Sequence, residues 1–208
     1  KNDSIDLCMV VGDVTSTMAC SIVAKKMGLK VAHVEAGIRS EDITMPEEIN
    51  RIVTDSITDY FFTTSEIANQ NLMKMGMSKS KIFFVGNTMI DTLIENRKNF
   101  IKPIIWDKIS LKTKNFIVLT LHRPSNVDEK NGLKDLIEHI IQNSKNIPII
   151  FPAHPRTSKI LNQINISYPN LYVIKPLSYF EFNYLVERSK AVITDSGGIT
   201  EETTIMNV

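Results

Sequence analysis

The residues of this chain that could carry chemistry form two sets: carboxylates in the first half and hydrogen-bond donors in the second. Asp13 follows Gly12 and precedes Thr15-Ser16-Thr17, so it can exchange a proton or simply cap a helix. Glu35 ends the apolar run Lys30–Val34, which reads as a strand buried on both faces. A carboxylate there is costly unless it is paired or functional. Glu47 and Glu48 follow Pro46 at the start of a helical pattern, where the helix dipole alone favours acids. Arg39 and Arg51 could pair with these carboxylates, holding them ionised and limiting their use as proton carriers.

The donor set begins at His122-Arg123, a compact pair after an apolar run, suited to a phosphate or a departing oxyanion. A histidine in such a place can equally be a packing residue. His154, between two prolines, invites the same two readings. His33 reads as structural, and His139 lies in a helix. The strongest local feature is Thr194-Asp195-Ser196-Gly197-Gly198. Two glycines between a strand and a helix let the backbone approach a ligand and aim free amides at it. The functional reading is a diphosphate at that helix N-terminus, with Glu201 or Glu202 accepting from ribose hydroxyls. The structural reading is a serine cap with acids in the first turn.

These residues need elements to hold them, and the chain alternates short apolar runs with amphipathic segments, the pattern of parallel strands joined by helices. Strands are expected at Asp6–Val11, Lys30–Val34, Tyr60–Thr63 and Lys81–Val85, then at Phe116–Leu121, Pro148–Phe151, Leu171–Ile174 and Ala191–Thr194. Helices fall between them. Thr15 or Ser16 should cap the first, and Ile49, Ile52, Val53 and Ile57 mark the expected buried face of the helix after Pro46. The stretch Phe100–Asn115 has no clean period and reads as a connection. The result is an α/β chain with two open parallel sheets, helices on both faces of each, and a cleft between them. The candidate residues sit at the carboxyl ends of strands, where open α/β sheets bind ligands.

Composition excludes several classes. Lys and Arg number 24 against 23 Asp and Glu, too even a balance for a protein that grips nucleic acid through a basic face. No apolar run approaches the roughly 20 residues of a membrane span. No G-x-G-x-x-G or Walker motif is present, and no Cys/His cluster has zinc spacing, so neither a nucleotide cofactor nor a metal is expected. Cys8 and Cys20 look like small buried hydrophobes in a reducing compartment. The chain starts without Met and stops within a helical pattern, which suggests part of a longer protein.

The segments VVGDVTSTMACSIVAKKMGLKVAHVEAGIRS, PEEINRIVTD, GNTMIDTL, LHRPSN, PLSYFEF and TDSGGITEE occur in this order. Together they resemble the non-hydrolysing UDP-N-acetylglucosamine 2-epimerases, over essentially the whole chain. The resemblance implies two Rossmann-like domains of the glycosyltransferase-B type, the second beginning near Gly86-Asn87-Thr88, hence residues 1–87 and 88–208. It implies catalytic roles for Asp13, Glu35, Glu47 and His122. It also implies UDP binding by Ser196, Gly197, Gly198 and Glu202, with Arg123 nearby and with Phe182 and the Leu177 backbone at the uracil. A cytoplasmic homodimer with UDP-N-acetylglucosamine as partner is implied too. The family's first strand, its Gly-rich basic loop and a later diphosphate-binding Arg have no counterpart in this chain. A hydrolysing epimerase, a glycosyltransferase of the same architecture and a non-catalytic UDP-sugar binding module remain the alternatives.

Overall fold

In a computed structural model, residues 5–127, 130–164 and 166–208 are described, without the side chains of 124, 125, 130, 131 and 156. The chain divides into two compact units, Lys1–Thr88 and Met89–Val208.

The first unit holds a parallel sheet in the order β1 (Leu7–Val11), β2 (Lys30–Val34), β3 (Tyr60–Thr63) and β4 (Ile82–Phe84). Parallel neighbours need crossovers, and α1 (Thr15–Lys26), α2 (Pro46–Ile57) and α3 (Glu66–Lys74) supply them. Val31, Ala32 and Phe61 are fully buried, as strands covered on both faces should be. One end of α3 is fixed by Ser65, whose side chain accepts from the Ala68 amide.

The second unit begins within α4 (Thr88–Asn96), which α5 (Ile104–Lys108) follows. Its sheet is β5 (Ile117–Thr120), β6 (Ile149–Pro152), β7 (Leu171–Ile174) and β8 (Ala191–Thr194), with helices α6 (Pro124–Val127), α7 (Lys130–Asn143), α8 (Pro155–Gln163), α9 (Tyr179–Arg188) and α10 (Gly197–Met206). The strand order β7-β6-β5-β8 reverses direction at β5. That reversal opens a crevice at the carboxyl ends of β5 and β8, the place where doubly wound sheets take their ligands. Leu119, Leu133, Ile137 and Phe151 fill one side of this sheet, and Phe116, Val118, Leu185 and Val186 the other.

Four expectations are corrected. The buried residues of α2 are Glu48, Asn50, Thr54 and Asp55, while Ile49 is exposed and Ile52, Val53 and Ile57 are only half-buried. The helix turns its polar face inward because that face meets carboxylates and loop amides rather than an apolar core. Neither Thr15 nor Ser16 caps α1; Val14 occupies the cap without a side-chain bond, and Thr17 donates instead to the Val11 carbonyl at 2.7 Å. The stretch 100–115 belongs to the core of the second unit. Trp106 stands edge-on to Phe116 and Tyr184, and Leu111 is buried. Its apolar residues insert singly from a five-residue helix, too short to print a period. Cys8 is half-buried and Cys20 exposed, both free thiols, because both line an open apolar hollow between β1 and α1.

Candidate active site

In the first unit the site grows from the ends of β1 and β2. The Gly12 amide donates to the Val34 carbonyl at 3.0 Å, one step beyond the strand pairing, and then φ of +68° turns the chain. The turn delivers Asp13, whose carboxylate accepts from Arg51 Nη2 at 2.5 Å and Nε at 3.1 Å. Asn50 donates to the Asp13 carbonyl at 2.8 Å, so α2 holds both backbone and side chain of this acid.

Glu35 follows β2 directly and has φ of +69°. A non-glycine residue in the left-handed region carries about 1–3 kcal/mol of strain, and such strain gathers at functional sites. A Cβ placed on Gly12 would lie 3.7 Å from Glu35 Oε2, so this carboxylate stands beside the turn that presents Asp13. Two candidate acids thus come from adjacent strand ends.

The pair Glu47 and Glu48 is resolved by burial. Glu48 is 2% exposed and accepts from the Ser40 amide at 2.9 Å, the Ser40 hydroxyl and Arg51 Nη1 at 3.1 Å, and the Glu41 amide at 3.4 Å. Burial alone would raise its carboxyl, but these donors outweigh burial and hold it below the ordinary glutamate range. Glu48 therefore anchors the loop after Glu35, and Glu47 is exposed at the first turn of α2. Arg51, shared by Asp13 and Glu48, is pulled down by burial and raised more strongly by its two partners. Of the two expected arginine partners, Arg39 bonds elsewhere, to Asp55 Oδ2 at 2.6 Å.

In the second unit the crevice between β5 and β8 assembles the donors. His122 Nδ1 lies 2.5 Å from Asp195 Oδ1. The same carboxylate accepts from the amides of His122 at 3.0 Å and Arg123 at 2.9 Å, and from Asn126 Nδ2 at 3.0 Å. Burial would raise Asp195, yet Asn126, the two amides and the charge of His122 together lower it. An ionised acceptor on Nδ1 fixes the ring and leaves Nε2 to take or give a proton. Sequence reading placed Asp195 at a strand end without seeing this role. The pairing depends on β5 lying against β8, across more than seventy residues.

Ser196 caps α10 through its backbone, without a side-chain bond, and its amide donates to Thr194 Oγ1 at 3.0 Å. α10 starts at Gly197, so Glu201 and Glu202 lie beyond its first turn, which contains no acid. This corrects the expectation that both belonged to that turn. The first amides of a helix have no partner within it, and their dipole favours an anion. A Cβ on Gly197 would meet no protein atom within 4 Å, whereas one on Gly198 would come within 3.1 Å of Met89 Cε. A side chain at Gly198 would thus press on the tip of Met89, while Gly197 borders open space.

Glu202 is 9% exposed and accepts from Tyr179 Oη at 3.1 Å. Burial raises its carboxyl against that donation, and burial next to Glu202 pushes the Tyr179 hydroxyl up to about 12. Asn183, fully buried, lies beside Glu202 without a well-aligned hydrogen bond. Tyr179 and Phe182 ride on α9, whose start is fixed by a capping box between Ser178 and Glu181. Leu177 and Phe182 are half-buried against the core of the second unit. Arg123 is exposed beside His122, and His154 is exposed after β6.

Comparison with known proteins bears directly on this arrangement. The sequence profile described as UDP-N-acetylglucosamine 2-epimerase matches residues 1–208. The UDP-N-acetylglucosamine 2-epimerase of Methanocaldococcus jannaschii is 40% identical over 98% of this chain and 58% of the relative's own length. The structure of that protein in complex with UDP-GlcNAc and UDP superposes with a TM-score of 0.82 at 41% identity, over 98% of this chain and 58% of that one. A Pseudomonas aeruginosa UDP-2,3-diacetamido-2,3-dideoxy-D-glucuronate 2-epimerase is 36% identical over 93% of this chain and 54% of its own length. The chain thus spans little more than half of these relatives. With its two parallel Rossmann-like sheets, the make-up of a glycosyltransferase-B type fold, it belongs to the UDP-N-acetylglucosamine 2-epimerase family.

Proposed function

We propose that the protein epimerises UDP-N-acetylglucosamine at carbon 2 by eliminating UDP and adding it back. The observation that carries this reading is Glu35, a carboxylate kept in a strained conformation beside the turn that presents Asp13. Two carboxylates brought together at adjacent strand ends are placed for proton transfer, and the left-handed turn at Glu35 is what aims its side chain there.

The carbon 2 proton has no carbonyl beside it and is not acidic, so the bond from carbon 1 to the diphosphate must weaken first. Its electron pair goes to the diphosphate oxygen. The amides at the start of α10, with His122 held by Asp195, are the donors that stabilise the growing charge. The ring gains positive character, a carboxylate removes the carbon 2 proton, and a carbon 1–carbon 2 double bond forms. Delivery of a proton to the opposite face and return of UDP complete the inversion. Two faces require more than one proton carrier, drawn from Asp13, Glu35 and Glu47; Asp13, whose carboxylate is paired with Arg51, is suited to accept a proton rather than to bring one. The sequence of steps is redox-neutral and ends with the sugar still attached to UDP, unlike the hydrolysing alternative. Glu202 suits the ribose hydroxyls, with Leu177 and Phe182 at the uracil and Arg123 at the phosphates. A cytoplasmic homodimer accompanies this reading on the strength of the family resemblance.

The substrate in the Pseudomonas relative's name differs at carbons 3 and 6 but is epimerised at the same carbon 2. The decisive experiment is proton NMR of UDP-N-acetylglucosamine with the full-length protein in deuterated water, run beside the diacetamido glucuronate. Deuterium entering carbon 2 of the first supports the reading. Exchange in the second alone would reassign the substrate, and no exchange in either would reject epimerisation.

A further inference from the structure

His33 is fully buried in the middle of the first sheet, with Ala32 and Val34 beside it in β2 and Val10 and Phe61 opposite it in the neighbouring strands. A buried imidazole costs free energy unless both nitrogens are satisfied. Its Cα pairs with Val10, and the ring reaches forward along β1, so that Nε2 lies 2.9 Å from the Gly12 carbonyl. A carbonyl only accepts, so Nε2 carries the hydrogen. The captured peptide is the one that joins Gly12 to Asp13.

The other nitrogen, Nδ1, lies 2.7 Å from Asp55 Oδ1, with Asp55 itself fully buried on α2. The second Asp55 oxygen accepts from the Gly37 amide at 3.1 Å and from Arg39 Nη2 at 2.6 Å. One buried pair therefore ties three segments together: the turn that ends in Asp13, the loop that begins at Glu35, and the helix whose first turn bears Glu47.

We propose that the His33–Asp55 pair is a positioning element that sets Asp13 against Glu35 for proton transfer at carbon 2. The inference rests on the epimerase reading above. Neither residue touches substrate in this account; both act through the acids that they place.

The test measures carbon 2 exchange in the full-length protein as kcat and KM. His33→Phe keeps the ring but removes both bonds. It is expected to lower kcat by about fivefold or more with KM within about threefold, because misplacement of reacting groups costs rate before affinity. His33→Gln, whose amide can still donate to the Gly12 carbonyl, should stay within about threefold of wild type. A merely structural histidine would show a reduced folded fraction with unaltered kcat per folded molecule, and glutamine would not rescue. A folded His33→Phe protein losing less than about fivefold in kcat, or a glutamine variant no better than phenylalanine, overturns the proposal. If circular dichroism shows His33→Phe unfolded, Asp55→Asn decides by the same kcat threshold. Wild-type protein without exchange removes the epimerase reading and this inference with it. Wild-type exchange with an unaffected variant removes the inference alone.

Discussion

Asp13 and Glu35 stand on neighbouring strand ends, and their amide variants separate chemistry from binding. Asp13→Asn and Glu35→Gln are each expected to lower epimerisation by about 10²-fold or more, the usual weight of a proton carrier. UDP affinity, measured by calorimetry, should change little, since neither acid belongs to the unit that carries the diphosphate donors. Retained turnover in either variant would remove that residue from the catalytic set. Glu48 is expected to behave differently from its neighbour Glu47. Replacing Glu48 by Ala strips the Ser40 and Glu41 amides and Arg51 of their buried acceptor, a loss of about 2–4 kcal/mol readable by urea denaturation. From sequence alone both glutamates open a helix after proline, and only the loop at 40–41, folded back onto α2, tells them apart.

Acid should expose the same group. The folded-state value of Glu48 lies below its unfolded one, so its contribution is present above the ordinary carboxylate value of 4.5 and is lost as pH falls through the depressed value. Asp59 and Asp195 carry the same sign. Glu202 has the opposite sign, because burial raises it, and it weakens the fold as pH rises through the carboxylate range. Glu202→Gln is therefore expected to raise the melting temperature at neutral pH, by roughly 2–4 °C, while weakening UDP binding. Thermal scans with and without UDP check both halves. A variant that is less stable at pH 7 would show that the Tyr179 bond outweighs burial.

At the scale of elements, helices and strands were legible because their apolar runs and breakers are local, and what escaped was partner-dependent. α2 has a strong helical pattern, but its inward face is Glu48, Asn50, Thr54 and Asp55, a choice dictated by what the neighbouring loops offer. The isoleucines suggested the reverse. The stretch 100–115 escaped for a related reason: single side chains from a short helix fill gaps in a core built by distant strands. Asp195 was visible at the end of β8, but its bond to His122 depends on β5 being the adjacent strand. One element carries a simple stability test. Ser178→Ala removes the capping box of α9, and a loss of about 1 kcal/mol in urea is expected, with smaller loss of UDP affinity. No loss would mean that packing of Phe182 and Leu185 alone holds the start of that helix.

The whole molecule is two units with separate cores, each built on its own parallel sheet. A ligand stabilises whatever part holds it by mass action. UDP alone should therefore slow hydrogen exchange in β8 and the first turns of α10, and leave β1 through β3 unchanged. Protection spread evenly over both units would reject the division of labour proposed above.

The terminal position of β1 reaches beyond catalysis. Leu7, Met9 and Val11 are 41%, 59% and 54% exposed, and one flank of that strand meets no other strand among the described residues. An uncapped ladder of amides and carbonyls, flanked by oily side chains and lacking lysine or proline to deter a visitor, is a template for stacking against foreign chains. A second chain laid along this flank would gain main-chain hydrogen bonds, and Met9→Lys, by placing a charge there, should weaken such pairing as read by light scattering.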